Sequence, residues 1–152
     1  MLYNIIYISK ATKLMQEDEL MFLLKQSRDW NLSHDITGML LYIEGRFLDH
    51  IEGRFMQVLE GSEYEIERIF NNIKNDSRHH QLIVLRQEEL EARNFDNWQM
   101  GFSSLNREDF ERHLGFFELN DDYLNSKEFI ESNTAISFLK SFYDTHRTFD
   151  FN

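Results

Sequence analysis

Gln57 is the residue whose placement most needs a chemical reason. The run Arg54-Phe55-Met56-Gln57-Val58-Leu59-Glu60-Gly61 reads as a strand, which puts Phe55, Gln57 and Leu59 on one face and Met56 and Val58 on the other. An unpaired amide on a core-facing side costs about 1–3 kcal/mol, so something polar should meet it there; the ordinary alternative is a bond to neighbouring backbone or a solvated side chain. Two further polar residues look inward. Tyr7 shares a strand face with Tyr3, Ile5 and Ser9, and Asn31 continues the helical stripe of Leu20, Leu23, Leu24 and Ser27. Each has an ordinary structural alternative: a core tyrosine with a satisfied hydroxyl, and an asparagine capping a helix C-terminus.

The elements that must position these residues follow from periodicity. Leu2 to Ser9 is a strand, Leu20 to Asn31 a helix, Ile36 to Ile43 and Arg54 to Glu60 two more strands, with Gly45 and Gly53 marking turns or irregularities between them. Ser62-Glu63-Tyr64-Glu65 is a capping-box pattern ahead of Ile66, Ile69, Phe70 and Ile73 at helical spacing. Leu82 to Leu85 supplies a fourth strand and Trp98 to Ser103 a fifth. The order implies an α+β, ferredoxin-like βαββαββ sandwich with two helices on one sheet face. Residues 1–104 form that domain, and 105–152 a helical C-terminal cap whose Phe-rich stripes pack on the open sheet face or in a dimer interface. The near-repeat Ile43-Glu44-Gly45-Arg46-Phe47 and Ile51-Glu52-Gly53-Arg54-Phe55 is read as a lengthened hairpin, with a protruding contact element as the alternative.

Composition narrows the function classes. The 152 residues carry a formal charge of -11, which disfavours nucleic acid and anionic lipid and favours a protein or small-molecule partner. With no cysteine there is neither a thiolate nucleophile nor a disulfide framework. No metal-ligand spacing, nucleophile arrangement or phosphate loop is found, so an enzyme is not expected. Met1-Leu2-Tyr3-Asn4 starts neither a signal peptide nor a membrane span, and a cytoplasmic protein is expected.

Taken together, Tyr7, Trp30-Asn31, Ile36-Thr37-Gly38, Phe55-Met56-Gln57-Val58-Leu59-Glu60-Gly61 and Trp98-Gln99-Met100, with Arg78-His79 between the last two, resemble the BLUF family of flavin-binding blue-light sensors over residues 1–104. The resemblance implies a flavin, FAD by the family norm with FMN or riboflavin as alternatives, lying between the two helices. Its polar edge would face Asn31 and Gln57, and its faces would lie against Ile5, Leu23, Leu24 and Leu40. It implies that Tyr7 gives an electron to the excited flavin, that its proton travels through Gln57, and that Gln57 is left rearranged by rotation or tautomerisation. Ser9 and Ser27 would steady that pair, Arg78 and His79 would lie near the flavin side chain, and Trp98 and Met100 would relay the signal. Output would pass to a protein partner or to self-association through the C-terminal helices, in a homo-oligomer. One departure stands out. The family's shorter hairpin, counted from Thr37, would put Asp49 in the place of the glutamine. Gln57 is preferred because Val58-Leu59-Glu60-Gly61 and the capping box follow it directly. A ferredoxin-like interaction or small-ligand module without light chemistry is the alternative reading.

Overall fold

Among the described residues, the alternating and continuous apolar runs build five strands and two helices. The computed structural model describes residues 1–47, 50–95 and 101–104, with side chains described for 1–42 and 52–95. In chain order the elements are β1 (Leu2–Ala11), α1 (Glu17–Ser33), β2 (Thr37–Phe47), β3 (His50–Ser62), α2 (Glu63–Lys74), β4 (His79–Leu90) and β5 (Gly101–Ser104). They form one sheet in the order β4-β1-β3-β2-β5. β1 runs antiparallel to β3 and β4, β2 runs antiparallel to β3, and β5 joins β2 in parallel. This is the expected ferredoxin-like α+β arrangement.

Both helices start on sequence-legible signals. Glu17, Asp18 and Glu19 crowd the first turn of α1, where the helix dipole favours negative charge, and the Gln16 backbone N–H donates to Glu19 Oε1 at 3.1 Å. Ser62 caps α2, its hydroxyl accepting from the Glu65 backbone N–H at 3.3 Å. Leu20 and Leu24 of α1 and Ile66 and Phe70 of α2 bury against Ile5, Tyr7, Leu40 and Leu59 of the sheet. Each such side chain contributes on the order of 1.5–3 kcal/mol. No helix among the described residues is long and apolar enough to cross a membrane.

Several boundaries differ from those expected. The hairpin is paired from Thr37↔Glu60 out to Phe47↔His50, so Gly45 and Gly53 lie inside paired strands, opposite Glu52 and Glu44, and not in turns. Gly53 has a packing reason: a Cβ there would lie 2.5 Å from the hydroxyl of Tyr42, which is fully buried and accepts from the Met15 N–H at 2.9 Å. β4 is three times the expected length, because its polar residues Arg86 to Glu89 lie on an edge strand that leaves much of its surface to solvent. Of the fifth strand expected over Trp98 to Ser103, the described part is Gly101–Ser104. Trp98, Met100, Asp49 and residues 105–152 lie outside the described residues, and so does the expected C-terminal cap.

The sheet face turned away from α1 and α2 carries Ile6, Met39, Leu41, Met56 and Val58, each no more than 1% exposed. Two polar side chains share it in neighbouring strands, Asn4 and Glu60, both fully buried.

Candidate functional site

A cavity of about 570 Å³ opens between α1 and α2, with the sheet as its floor. Antiparallel register sets the floor: Tyr7 of β1 lies opposite Gln57 of β3, which lies opposite Leu40 of β2, so the three form one row across the sheet. Adjacent strands place opposed side chains about 4.5–5.5 Å apart at Cβ, and the Tyr7 hydroxyl donates to Gln57 Oε1. Tyr7 is 4% and Gln57 5% exposed, so this bond is buried.

The walls come from the helices. Leu23, Ser27 and Asn31 recur every four residues along α1 and face Ile69 and Ile73 of α2 across the opening. Asn31 is 1% exposed. The helix runs on to Ser33 with His34 as its cap, so Asn31 is not a C-cap. Its backbone carbonyl accepts from the Ile36 N–H at 2.9 Å, which fixes the turn into β2. Ile5 and Leu24, expected against a ligand, are packed in the core behind the cavity. Ile69, Ile73 and Leu59 supply the apolar surface instead.

His79 orders the corner beside Tyr7. Its Nε2 lies 2.6 Å from the Ile73 carbonyl, which can only accept, so Nε2 carries a hydrogen, and Nδ1 shares a hydrogen bond with the Ser9 hydroxyl at 2.7 Å. The ring packs 6.1 Å from Tyr7 and edge-on to Phe55 at 6.3 Å, centroid to centroid. Ser9 thus bears on Tyr7 through His79.

Arg78 lies at the polar mouth. Its Nε contacts both Asp76 oxygens at 2.9 and 3.0 Å, Nη2 also pairs with Asp76, and Nη1 donates to Gln26 at 2.9 Å. Hydrogen bonding from Arg78 holds the Asp76 carboxyl below the usual range and raises the guanidinium further. Burial, with a smaller push from the Asp76 charge, raises the Tyr7 hydroxyl far above an ordinary tyrosine, so it keeps its proton at neutral pH. Trp30 also lines the cavity and stacks on His34 at 3.8 Å between centroids and 7° between planes.

Of the residues singled out from sequence, Tyr7, Ser27, Asn31, Leu40, Gln57, Arg78 and His79 all line this cavity. Trp98 and Met100 lie outside the described residues. Asp76 was missed, although an Asp two residues before an Arg is a turn-forming signal, and its Oδ1 accepts the Arg78 backbone N–H at 2.9 Å. Chemically the cavity combines aliphatic walls, the buried amides of Asn31 and Gln57, and the partly exposed Asp76–Arg78 pair. At roughly 300–1,000 Å³, pockets of this kind hold small organic cofactors.

A protein-family model described as sensors of blue-light using FAD, BLUF, matches residues 2–101. No curated protein sequence matches. Among solved structures, a bacterial light-regulated adenylyl cyclase is 28% identical, with a TM-score of 0.61, over 97% of this chain and 35% of that one. Klebsiella pneumoniae BlrP1 with FMN and cyclic diGMP is 30% identical, with a TM-score of 0.57, over 67% of this chain and 25% of that one. The chain therefore spans about a third of the first of these relatives and a quarter of the second. The BLUF protein BlrB in its dark state is 25% identical, with a TM-score of 0.62, over 97% of this chain and 93% of that one.

Proposed function

The chain belongs to the BLUF family, flavin-binding sensors of blue light that use FAD, and from that premise we propose that it signals by a light-driven exchange of hydrogen bonds between Tyr7 and Gln57. The single observation that carries this reading is the buried bond from the Tyr7 hydroxyl to Gln57 Oε1 on the floor of the cavity.

The donor set fits a flavin. Leu23, Leu40, Ile69 and Ile73 suit the faces of a flat ring, and Asn31 and Gln57 can each donate and accept along its carbonyl and N–H edge. Arg78, a partly exposed cation lining the cavity, would hold the phosphate of the flavin side chain. When bound, the flavin supplies the absorption of blue light and the oxidising power. The chain's own residues do the rest. Tyr7 holds a proton at Oη, aimed at Gln57. Gln57 has an oxygen and an NH₂ related by rotation about its last bond, so one side chain can present either to Tyr7 and the other to the ring edge. Glutamate would bring a buried charge, and leucine would bring no hydrogen bond. His79, fixed by Ser9 and Ile73, keeps Tyr7 from swinging away.

The signal leaves through the sheet. In this reading Trp98 and Met100 take part in the relay. Output passes to a partner protein or to a change in self-association. The test is an absorption spectrum in the dark and after blue illumination, on wild type and Tyr7→Phe. The flavin band should move to the red and recover in the dark in wild type, and stay fixed in the variant. A full, reversible shift in Tyr7→Phe would refute the exchange.

A further inference from the structure

Glu60 holds a second polar centre on the face away from the cavity. Its Oε1 and Oε2 accept from the Asn94 backbone N–H at 3.0 and 2.9 Å, Oε2 accepts from Asn94 Nδ2 at 2.7 Å, and Oε1 accepts from the Phe95 N–H at 2.9 Å. Arg93 extends the clasp, donating to Thr37 Oγ1 at 2.8 Å, to the Glu60 carbonyl at 3.0 Å and to the Asp35 carbonyl at 2.8 Å. The turn at residues 93–95 is thus tied to the end of β3 and the start of β2, and in sequence it leads directly to Trp98 and Met100.

Beside this saturated carboxylate lies its opposite. Asn4 is opposite Glu60 in the β1–β3 register, fully buried, and among the described residues neither its Nδ2 nor its Oδ1 has a hydrogen-bond partner. Glu88, its neighbour on the other side, is paired with Arg86 at 3.0 Å. A buried amide with both ends unmet, one strand from a carboxylate that four contacts already fill, marks a place where a second arrangement is available.

We propose that Asn4 and Glu60 form a latch with two positions. In the first, seen here, Glu60 holds the Asn94 and Phe95 N–H groups and Asn4 is unpaired. In the second, the Asn4 amide donates to Glu60 and the turn at 93–95 is released. Opposed side chains on neighbouring strands are close enough for this exchange without moving β1 or β3. Gln57 stands three residues before Glu60 on the same strand, facing the cavity, so a change in its partners is felt at the latch. For that trigger alone the latch rests on the light-sensing reading.

Hydrogen exchange at Asn94 and Phe95 tests it, on the FAD-loaded full chain, in wild type, Asn4→Leu and Glu60→Gln. In the dark, Asn4→Leu removes the second position and slows exchange at these two amides, whereas Glu60→Gln presents an NH₂ to N–H donors and speeds it. Under blue light, wild type exchanges about tenfold faster there, a coupling of ordinary size, and Asn4→Leu does not, although its flavin band still shifts. Dark exchange in Asn4→Leu equal to or faster than wild type overturns the latch, with or without light chemistry. A wild-type spectral shift with no acceleration at Asn94 and Phe95 also overturns it, and so does acceleration that persists in Asn4→Leu. A wild type with no spectral shift overturns the light-sensing reading instead and leaves the dark comparison to decide the latch.

Discussion

Gly38→Ala should be among the most damaging single substitutions in the domain. Gly38 has φ 157°, where side chains are rarely accommodated, and a Cβ built on it would lie 1.9 Å from the Val58 carbonyl oxygen and 2.9 Å from its carbon. Both contacts are to backbone, so no rotamer change relieves them. The strain of the φ value is worth about 1–3 kcal/mol. Pushing β2 away from β3 adds about 1–3 kcal/mol of overpacking. The sum, about 2–6 kcal/mol, is a large share of a total stability of about 5–15 kcal/mol. Gly61→Ala is the control, because its Cβ would meet Asp35 O at 3.2 Å and Ile36 Cγ1 at 3.3 Å without a positive φ. It should change stability by less than about 1 kcal/mol in either direction. Urea unfolding of both variants, followed by far-UV circular dichroism, reads the difference. Equal midpoints, or a Gly38→Ala loss below about 1 kcal/mol, would refute the close approach of β2 and β3 beside Gln57.

Other perturbations test the site. An ordinary tyrosine ionises near pH 10, while the folded Tyr7 is raised by burial. Tyr7→Phe should therefore leave tyrosinate absorbance unchanged up to about pH 10.5, and loss of a transition below that would contradict the buried hydroxyl. The same shift fixes a sign. Below about pH 10 Tyr7 is protonated in both states, and above it the unfolded chain ionises first, so wild type should lose stability there faster than Tyr7→Phe. Asp76 offsets the charge of Arg78, so Asp76→Asn should strengthen binding of FMN relative to riboflavin severalfold at low salt, read by equilibrium titration. An unchanged ratio would remove Arg78 from the phosphate end. Gly53→Ala should push Tyr42 off its seat and lower the thermal midpoint, and an unchanged midpoint would argue against that packing.

Much of the fold was legible because apolar period and local chemistry agree. Ser62 caps α2 as its spacing with Glu65 suggested, and the alternation around Gln57 put it on the cavity side opposite Tyr7. What could not be read depends on long-range partners. The polar half of β4 looks like a loop until β1 pairs with it through Leu2↔Leu90. Gly53 looks like a turn residue because nothing local announces Tyr42 above it. Ile69 and Ile73 were assigned to a helix stripe, but only the gap between α1 and α2 turns that stripe into a cavity wall. Glu60 read as part of a motif; its clasp with Asn94 and Phe95 spans more than thirty positions and has no local signature.

The most direct test of the central claim compares Gln57→Leu with Asp49→Leu in the same illumination experiment. The account predicts that both purified proteins are yellow, that Asp49→Leu keeps the reversible red shift of the flavin band, and that Gln57→Leu loses it. A shift that survives in Gln57→Leu, or one that disappears only in Asp49→Leu, would contradict the assignment of the exchange to Tyr7 and Gln57.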